Sequence, residues 1–176
     1  MNIATTRFRN VHATTPHSWC TTWDELCAAL FDHTERGRKA DGGLWSPVSY
    51  RPGGQRGNAS VDQVTCAVID VDDGTALEVA TEALDGVAWL AYTTWSHTTA
   101  APRYHLVIPF EHPVSAAEWP AVHRALRAWL GCGDPLPDPA RMYYLPQHSP
   151  LDEDWWVERS PGAALRITPR TAAAAA

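Results

Sequence analysis

Ala67-Val-Ile-Asp70-Val-Asp72-Asp73-Gly74 is an unbroken apolar run that ends in carboxylates two residues apart. In a strand, side chains at i and i+2 leave the same face with Cα atoms about 7 Å apart. Asp70 and Asp72 are therefore expected to point together, while Val71 enters the opposite layer. Two ionised carboxylates side by side repel each other and gain no packing energy. No Lys or Arg lies between residues 59 and 102 to neutralise them, so without metal the pair is expected to cost stability. A divalent cation such as Mg²⁺, which takes oxygen ligands and keeps positions open for phosphate, would give the pair a purpose. The competing reading is a strand running into an Asp-Asp-Gly turn.

Elements on either side follow from capping signals and periodicity. Thr22-x-x-Glu25, Thr75-x-x-Glu78 and Ser115-x-x-Glu118 read as capping boxes that open helices. Trp23, Leu26, Cys27, Leu30 and Phe31 repeat at helical spacing and predict an amphipathic helix over 22–35. Leu77, Ala80 and Leu84 predict a short one over 75–84. Trp119, Val122, Leu126, Trp129 and Leu130 form the buried stripe of a third over 115–130, with Pro120 tolerated in its first turn. Strands rich in β-branched and aromatic residues are expected over 64–70, 87–94, 104–109 and 142–145.

In order these spell β-α-β-β-α-β, the split pattern of ferredoxin-like and RNA-recognition-motif folds. The fold class is thus α+β, an RNA-recognition-motif-like core over 63–146. An N-terminal αβ extension over 1–62 precedes it, with a strand near 3–8 and a Gly/Pro/Arg-rich loop over 37–57. Two short strands are expected within 150–170, at 155–157 and 164–168. Residues 1–170 read as one catalytic-size unit, and the alanine-rich 171–176 as a tail or linker. In this topology the first and third core strands are central neighbours, which sets the acidic strand beside Arg103-Tyr-His105.

Composition narrows the class. The chain has 176 residues, 45% of them hydrophobic, enough for a real core in a soluble globular protein. It has neither a membrane-length apolar run nor the apolar stretch of a signal peptide, so a cytoplasmic location is expected. Cys20, Cys27, Cys66 and Cys132 lack CxxC spacing and read as reduced thiols. A zinc site from His17, Cys20, Cys27 and His33 conflicts with Cys27's place on the apolar helix face. The net charge of −6 argues against a general nucleic-acid footprint, but the charge is segregated. Arg36, Arg38, Lys39, Arg51 and Arg56 precede an acidic centre, which suits a protein that holds a polyanion in one place and metal in another.

Arg103 and His105 share a strand face, and with two carboxylates on the neighbouring strand they form an inventory for gripping a metal-bound triphosphate. His97, within Thr94-Trp-Ser96-His97-Thr, sits at a bend where capping and substrate contact are both open. After the last helix, Asp134 or Asp138 is placed to bring a third carboxylate, and Arg141 to reach a phosphate. Trp45 and Trp95 fall in expected loops, where base stacking competes with core packing.

Val-Ile-Asp70-Val-Asp72, then Arg103-Tyr-His105-Leu-Val-Ile-Pro, then Asp134 with Asp-Pro-Ala-Arg141-Met-Tyr-Tyr-Leu-Pro resembles the archaeo-eukaryotic primase superfamily, most closely the primase-polymerase domains of plasmid and phage replication proteins. The superfamily's acidic pair matches Asp70 and Asp72, and its Ser-x-His-like motif matches at His105, with Arg103 where the small residue often stands. Thr94-Trp-Ser96-His97-Thr and the segment from Lys39 through Trp45 to Asn58 resemble the mobile-element branch.

The resemblance implies template-directed nucleotidyl transfer on single-stranded DNA by a DNA primase/polymerase. Two divalent ions, Mg²⁺ or Mn²⁺, would be held by Asp70, Asp72 and Asp134, with Asp138 the alternative third ligand. NTP or dNTP would be bound by His105, Arg103, Arg141, Ser96 and His97, and the strand by Arg36, Arg38, Lys39, Arg51 and Arg56. Such domains commonly adjoin a helicase domain or subunit. Two rivals stand beside this reading. One is a rolling-circle nickase with Tyr143 or Tyr144 as nucleophile, which needs a second His that His105-Leu-Val lacks. The other is a non-catalytic single-strand-binding module, which wants exposed aromatics on the central strands.

Overall fold

The computed structural model describes residues 1–151 and 154–167. Its elements are β1 (Thr6–Phe8), β2 (His17–Ser18), α1 (Trp23–Leu30), β3 (Thr34–Glu35), β4 (Leu44–Ser46), β5 (Val48–Tyr50) and β6 (Val61–Val71). There follow α2 (Leu77–Thr81), β7 (Trp89–Thr93), β8 (Tyr104–Ser115), α3 (Trp119–Leu130), β9 (Tyr143–Tyr144), β10 (Gln147–His148) and β11 (Val157–Ser160). The main sheet has five strands in the order β11-β7-β8-β6-β5. The acidic strand β6 lies antiparallel to β8 at its centre, as the split βαβ pattern requires.

The unbroken apolar run of β6 has a simple cause: both of its faces are covered. Ala67, Ile69 and Val71 pack with Leu77, Leu84, Trp119, Val122 and Leu126 on the helical side. Cys66 and Val68 pack on the other side with Trp23, Leu26, Leu30, Trp45 and Tyr143. A four-stranded sheet, β2-β1-β4-β9, stands on that second side with α1.

Several local expectations change. The strand expected over 142–145 does not join the main sheet; Tyr143–Tyr144 pairs with β4, and β5 takes the place beside β6. The loop expected over 37–57 therefore contains two strands, carried by Leu44, Trp45, Val48 and Tyr50 around Pro47. At α1 the capping box is complete, but the helix stops at Leu30 because Thr34–Glu35 pairs with β10. Thr75 caps no helix: its amide and hydroxyl donate to Asp73 Oδ1 at 3.0 and 2.7 Å, which leaves Ala76 as the N-cap. Ser115 and Glu118 make their reciprocal bonds one turn early, and the α3 helix begins at Trp119. The strand expected at 155–157 falls at Val157–Ser160, and that at 164–168 is reduced to a bridge at Leu165. The expected tail, 171–176, lies outside the described residues.

Candidate functional site

The register across the main sheet builds the site. Asp70 is directly opposite His105 on β8, and His105 is directly opposite Tyr92 on β7. Residues paired across antiparallel strands share a face, so one row crosses three strands on the face that packs against the second sheet. His105 Nε2 is 3.5 Å from Asp70 Oδ1. Its Nδ1 is 2.9 Å from the Tyr92 hydroxyl.

Tyr92 is 1% exposed, and its hydroxyl donates to Tyr144 O at 3.0 Å while Trp45 Nε1 donates to it at 2.9 Å. A phenol has one proton to give. With that proton on Tyr144 O, His105 must donate from Nδ1, and Nε2 is left facing Asp70. Burial pushes the Tyr92 phenol well above its ordinary pKa, so it stays a neutral anchor. Trp45 is thus no loop residue awaiting a base; it is fully buried and holds Tyr92.

A second device brings Asp134 to Asp70. The α3 helix ends at Gly131 in the left-handed region, and Gly133 follows at φ +98. A Cβ at Gly133 would stand 2.4 Å from Ile69 Cγ2, so only glycine lets the chain lie against the end of β6. Asp134 N then donates to Asp70 O at 2.9 Å. Arg141 bridges the two side chains, Nη2 to Asp70 Oδ2 at 2.7 Å and Nη1 to Asp134 Oδ2 at 2.9 Å.

This bridge corrects the expectation that Asp70 lacks a counter-charge: the cation arrives from 71 residues downstream. Burial alone would raise the Asp70 carboxyl. The hydrogen bond and charge of His105, with Arg141 and Lys39, outweigh it and hold the group below its ordinary pKa.

The remaining expected residues divide. Asp72 is 57% exposed at its side chain and lies 3.8 Å from the half-buried Arg103, a weak surface pair. Asp138 caps its own turn by accepting from Ala140 N at 3.0 Å, so Asp134 is the carboxylate grouped with Asp70. His97 is buried in the bend, where its Nδ1 accepts from Arg103 N at 3.2 Å and its ring meets Trp156 edge-on. Neither Ser96 nor His97 lines the cavity on which Asp70 and Asp72 lie.

A cavity of ≈170 Å³ opens on the row, lined by Lys39, Asp70, Asp72, Trp95, His105, Arg141 and Tyr144 among others. Lys39 thus separates from its basic neighbours Arg36, Arg38, Arg51 and Arg56. Arg51 lines a different cavity of ≈520 Å³, between the β1–β2 hairpin and the turn after β5. Tyr92 and Gly133 escaped the sequence reading as site residues, and Lys39, expected on the strand path, lines this cavity instead; the one signal for Gly133 was its position just before Asp134.

As to metal, Asp70, Asp72 and Asp134 are hard oxygen donors suited to Mg²⁺ or Mn²⁺. Arg141 already stands between two of them as a monovalent stand-in, so the donor set is one that attracts a cation. No group of three metal-type side chains is close enough to hold an ion among the described residues as they stand.

Residues 33–166 match the family model of the VapE N-terminal domain. The chain belongs to that family. The match takes in every residue around the ≈170 Å³ cavity named above. No curated protein matches the chain. Among solved structures, this VapE N-terminal domain is similar to the archaeo-eukaryotic primase (AEP) domain of the cyanophage S-2L primase-polymerase. The TM-score is 0.52 at 17% identity, over 98% of this chain and 89% of that one. The likeness bears out the α+β fold. No helix among the described residues is long and apolar enough to cross a membrane.

Proposed function

We propose that this domain is a DNA primase/polymerase that carries out template-directed nucleotidyl transfer on single-stranded DNA during replication of a mobile element. The observation that carries the reading is the Asp70–His105 pair on adjacent central strands, with Arg141 joining Asp70 to Asp134 beside one cavity. That cavity is smaller than the ~300–1,000 Å³ of typical small-molecule pockets. It suits the phosphates of a nucleotide, with the base lying outside against Trp95 or Tyr144.

Asp70, Asp72 and Asp134 would hold two divalent ions, Mg²⁺ or Mn²⁺. When bound, these supply charge neutralisation at the phosphates and acidify an attacking hydroxyl. Once carboxylate charge is engaged by metal, the Arg141 guanidinium is released to pair with phosphate oxygens, which it matches in a two-pronged geometry. His105, its ring fixed by Tyr92, presents Nε2 to the same space. Arg36, Arg38, Arg51 and Arg56 lie outside that cavity and would follow the template strand. A helicase activity is expected to act beside it, in the cytoplasm.

The rivals find less support. The Tyr143 hydroxyl is buried, donates to Val68 O at 3.3 Å and has its pKa pushed up by burial, a poor state for a nucleophile. On the central strand β8, Tyr104 and Phe110 are both buried, so they offer no platform for bases. The test is nucleotide incorporation by Asp70→Ala, Asp72→Ala, Asp134→Ala and Asp138→Ala. The first three are expected to lose synthesis while staying folded, and the fourth to keep it. Near-wild-type synthesis by Asp70→Ala would remove the basis for the assignment.

A further inference from the structure

Lys39 sits in the sequence among arginines of the basic loop, but its backbone is fastened elsewhere. Residues Lys39–Asp41 form a single 3-10 turn. The carbonyl of Lys39 accepts from Gln147 Nε2 at 3.0 Å and from Gly42 N at 3.3 Å. Gln147 is 2% exposed and belongs to β10, so this bond ties the turn to the segment that follows Arg141, Tyr143 and Tyr144. The clamp needs a glycine: a Cβ at Gly42 would stand 2.0 Å from Gln147 Oε1. The Lys39 ammonium lies 5.6 Å from the Tyr144 ring centroid, on the wall of the ≈170 Å³ cavity that Asp70, His105 and Arg141 also line. Its charge also reaches the Asp70 carboxyl.

We infer that Lys39 is a phosphate-binding residue of the nucleotide site rather than part of the template path, and that Gln147, seated against Gly42, is the positioning residue that sets it there. This rests on the nucleotide-binding reading above. An ammonium at the face of an aromatic ring keeps N–H donors free for an anion. Lys39 would thus be a further cation for the triphosphate, with His105 and Arg141, carried on a separate segment of chain.

Calorimetric binding of dATP and of inorganic tripolyphosphate, each with Mg²⁺, tests this beside single-stranded DNA binding over a salt series. Lys39 is exposed, so Lys39→Ala is expected to fold normally. It should bind both phosphate probes on the order of 10–100-fold more weakly, as for loss of one charge-assisted hydrogen bond. Its DNA affinity and salt slope should stay at wild-type values. Arg38→Ala should show the reverse.

Gln147→Met should weaken both probes in the wild-type background but not in Lys39→Ala, because its effect runs through Lys39. Equal losses in both backgrounds would overturn the positioning role. Unchanged phosphate binding by Lys39→Ala, with a DNA salt slope lowered by about 0.7, would make Lys39 a strand contact and overturn the inference. If the wild-type protein binds neither probe, the nucleotide-site reading itself fails, and this inference with it.

Discussion

Replacing Asp70 by Ala in metal-free buffer at pH 7 separates two accounts of the acidic strand. A carboxylate retained solely for metal would be a net cost in the apo protein, and its removal would raise the melting temperature. The structure argues the opposite. Asp70 is 13% exposed at its side chain and receives Arg141 Nη2 at 2.7 Å, with His105 Nε2 at 3.5 Å. Loss of a hydrogen bond between charged groups costs about 1.5–3 kcal/mol. Orphaning a buried charge entirely would cost about 3–5 kcal/mol, but Arg141 keeps Asp134 as a partner and is itself a quarter exposed. A net loss of about 2 kcal/mol follows, which for a domain of this size lowers Tm by about 4–8 °C. Thermal melts followed by circular dichroism, with EDTA present, read this directly. An unchanged or higher Tm would refute the claim that the Arg141 bridge stabilises the apo fold.

Tyr92→Phe keeps the ring but leaves the buried Trp45 Nε1 and His105 Nδ1 without their acceptor. Stability should fall by about 1–3 kcal/mol, and dATP affinity on the order of tenfold, with DNA affinity unchanged; equal loss of both affinities would count against the anchor role. Because the Asp70 pKa is lowered on folding, its ionised form adds stability fully above the ordinary carboxylate value of ~3.9, and that stability is lost as pH falls through the lowered value. The stability gap between wild type and Asp70→Asn, measured by urea melts, should therefore be widest near neutrality and close under acid; a constant gap would contradict the shift. Gly133→Ala should destabilise the fold and impair synthesis together, since its Cβ would drive residues 133–134 off Ile69; wild-type activity would show that Asp134 needs no such seat.

The main sheet was legible because β6 and β8 are long, apolar and bounded by clear turns, and the split βαβ rule then fixes which strands are neighbours. That is enough to set Asp70 beside His105. The partners of short strands were not legible. Tyr143–Tyr144 reads equally well as a fourth core strand, and only the Trp45, Val68 and Tyr143 packing decides that it joins the second sheet. Leu44–Ser46 and Val48–Tyr50 were hidden by glycine, proline and arginine on both sides. Arg141 was legible as a cation of the site, but its pairing with Asp70 spans 71 residues and depends on the Gly133 turn. The place of Lys39 on the cavity wall was hidden for a related reason: charge composition groups it with its sequence neighbours, while the buried Gln147 amide ties its carbonyl to the β10 segment.

The central claim is that bases on a template select the nucleotide joined at this site. Four homopolymer single-stranded DNA templates, each incubated with one labelled nucleotide at a time and Mn²⁺ or Mg²⁺, with and without a primer, test it most directly. The account predicts incorporation only for the complementary pairs, abolished by Asp70→Ala. Incorporation indifferent to template, or strand cleavage with DNA left covalently attached to a tyrosine, would contradict it.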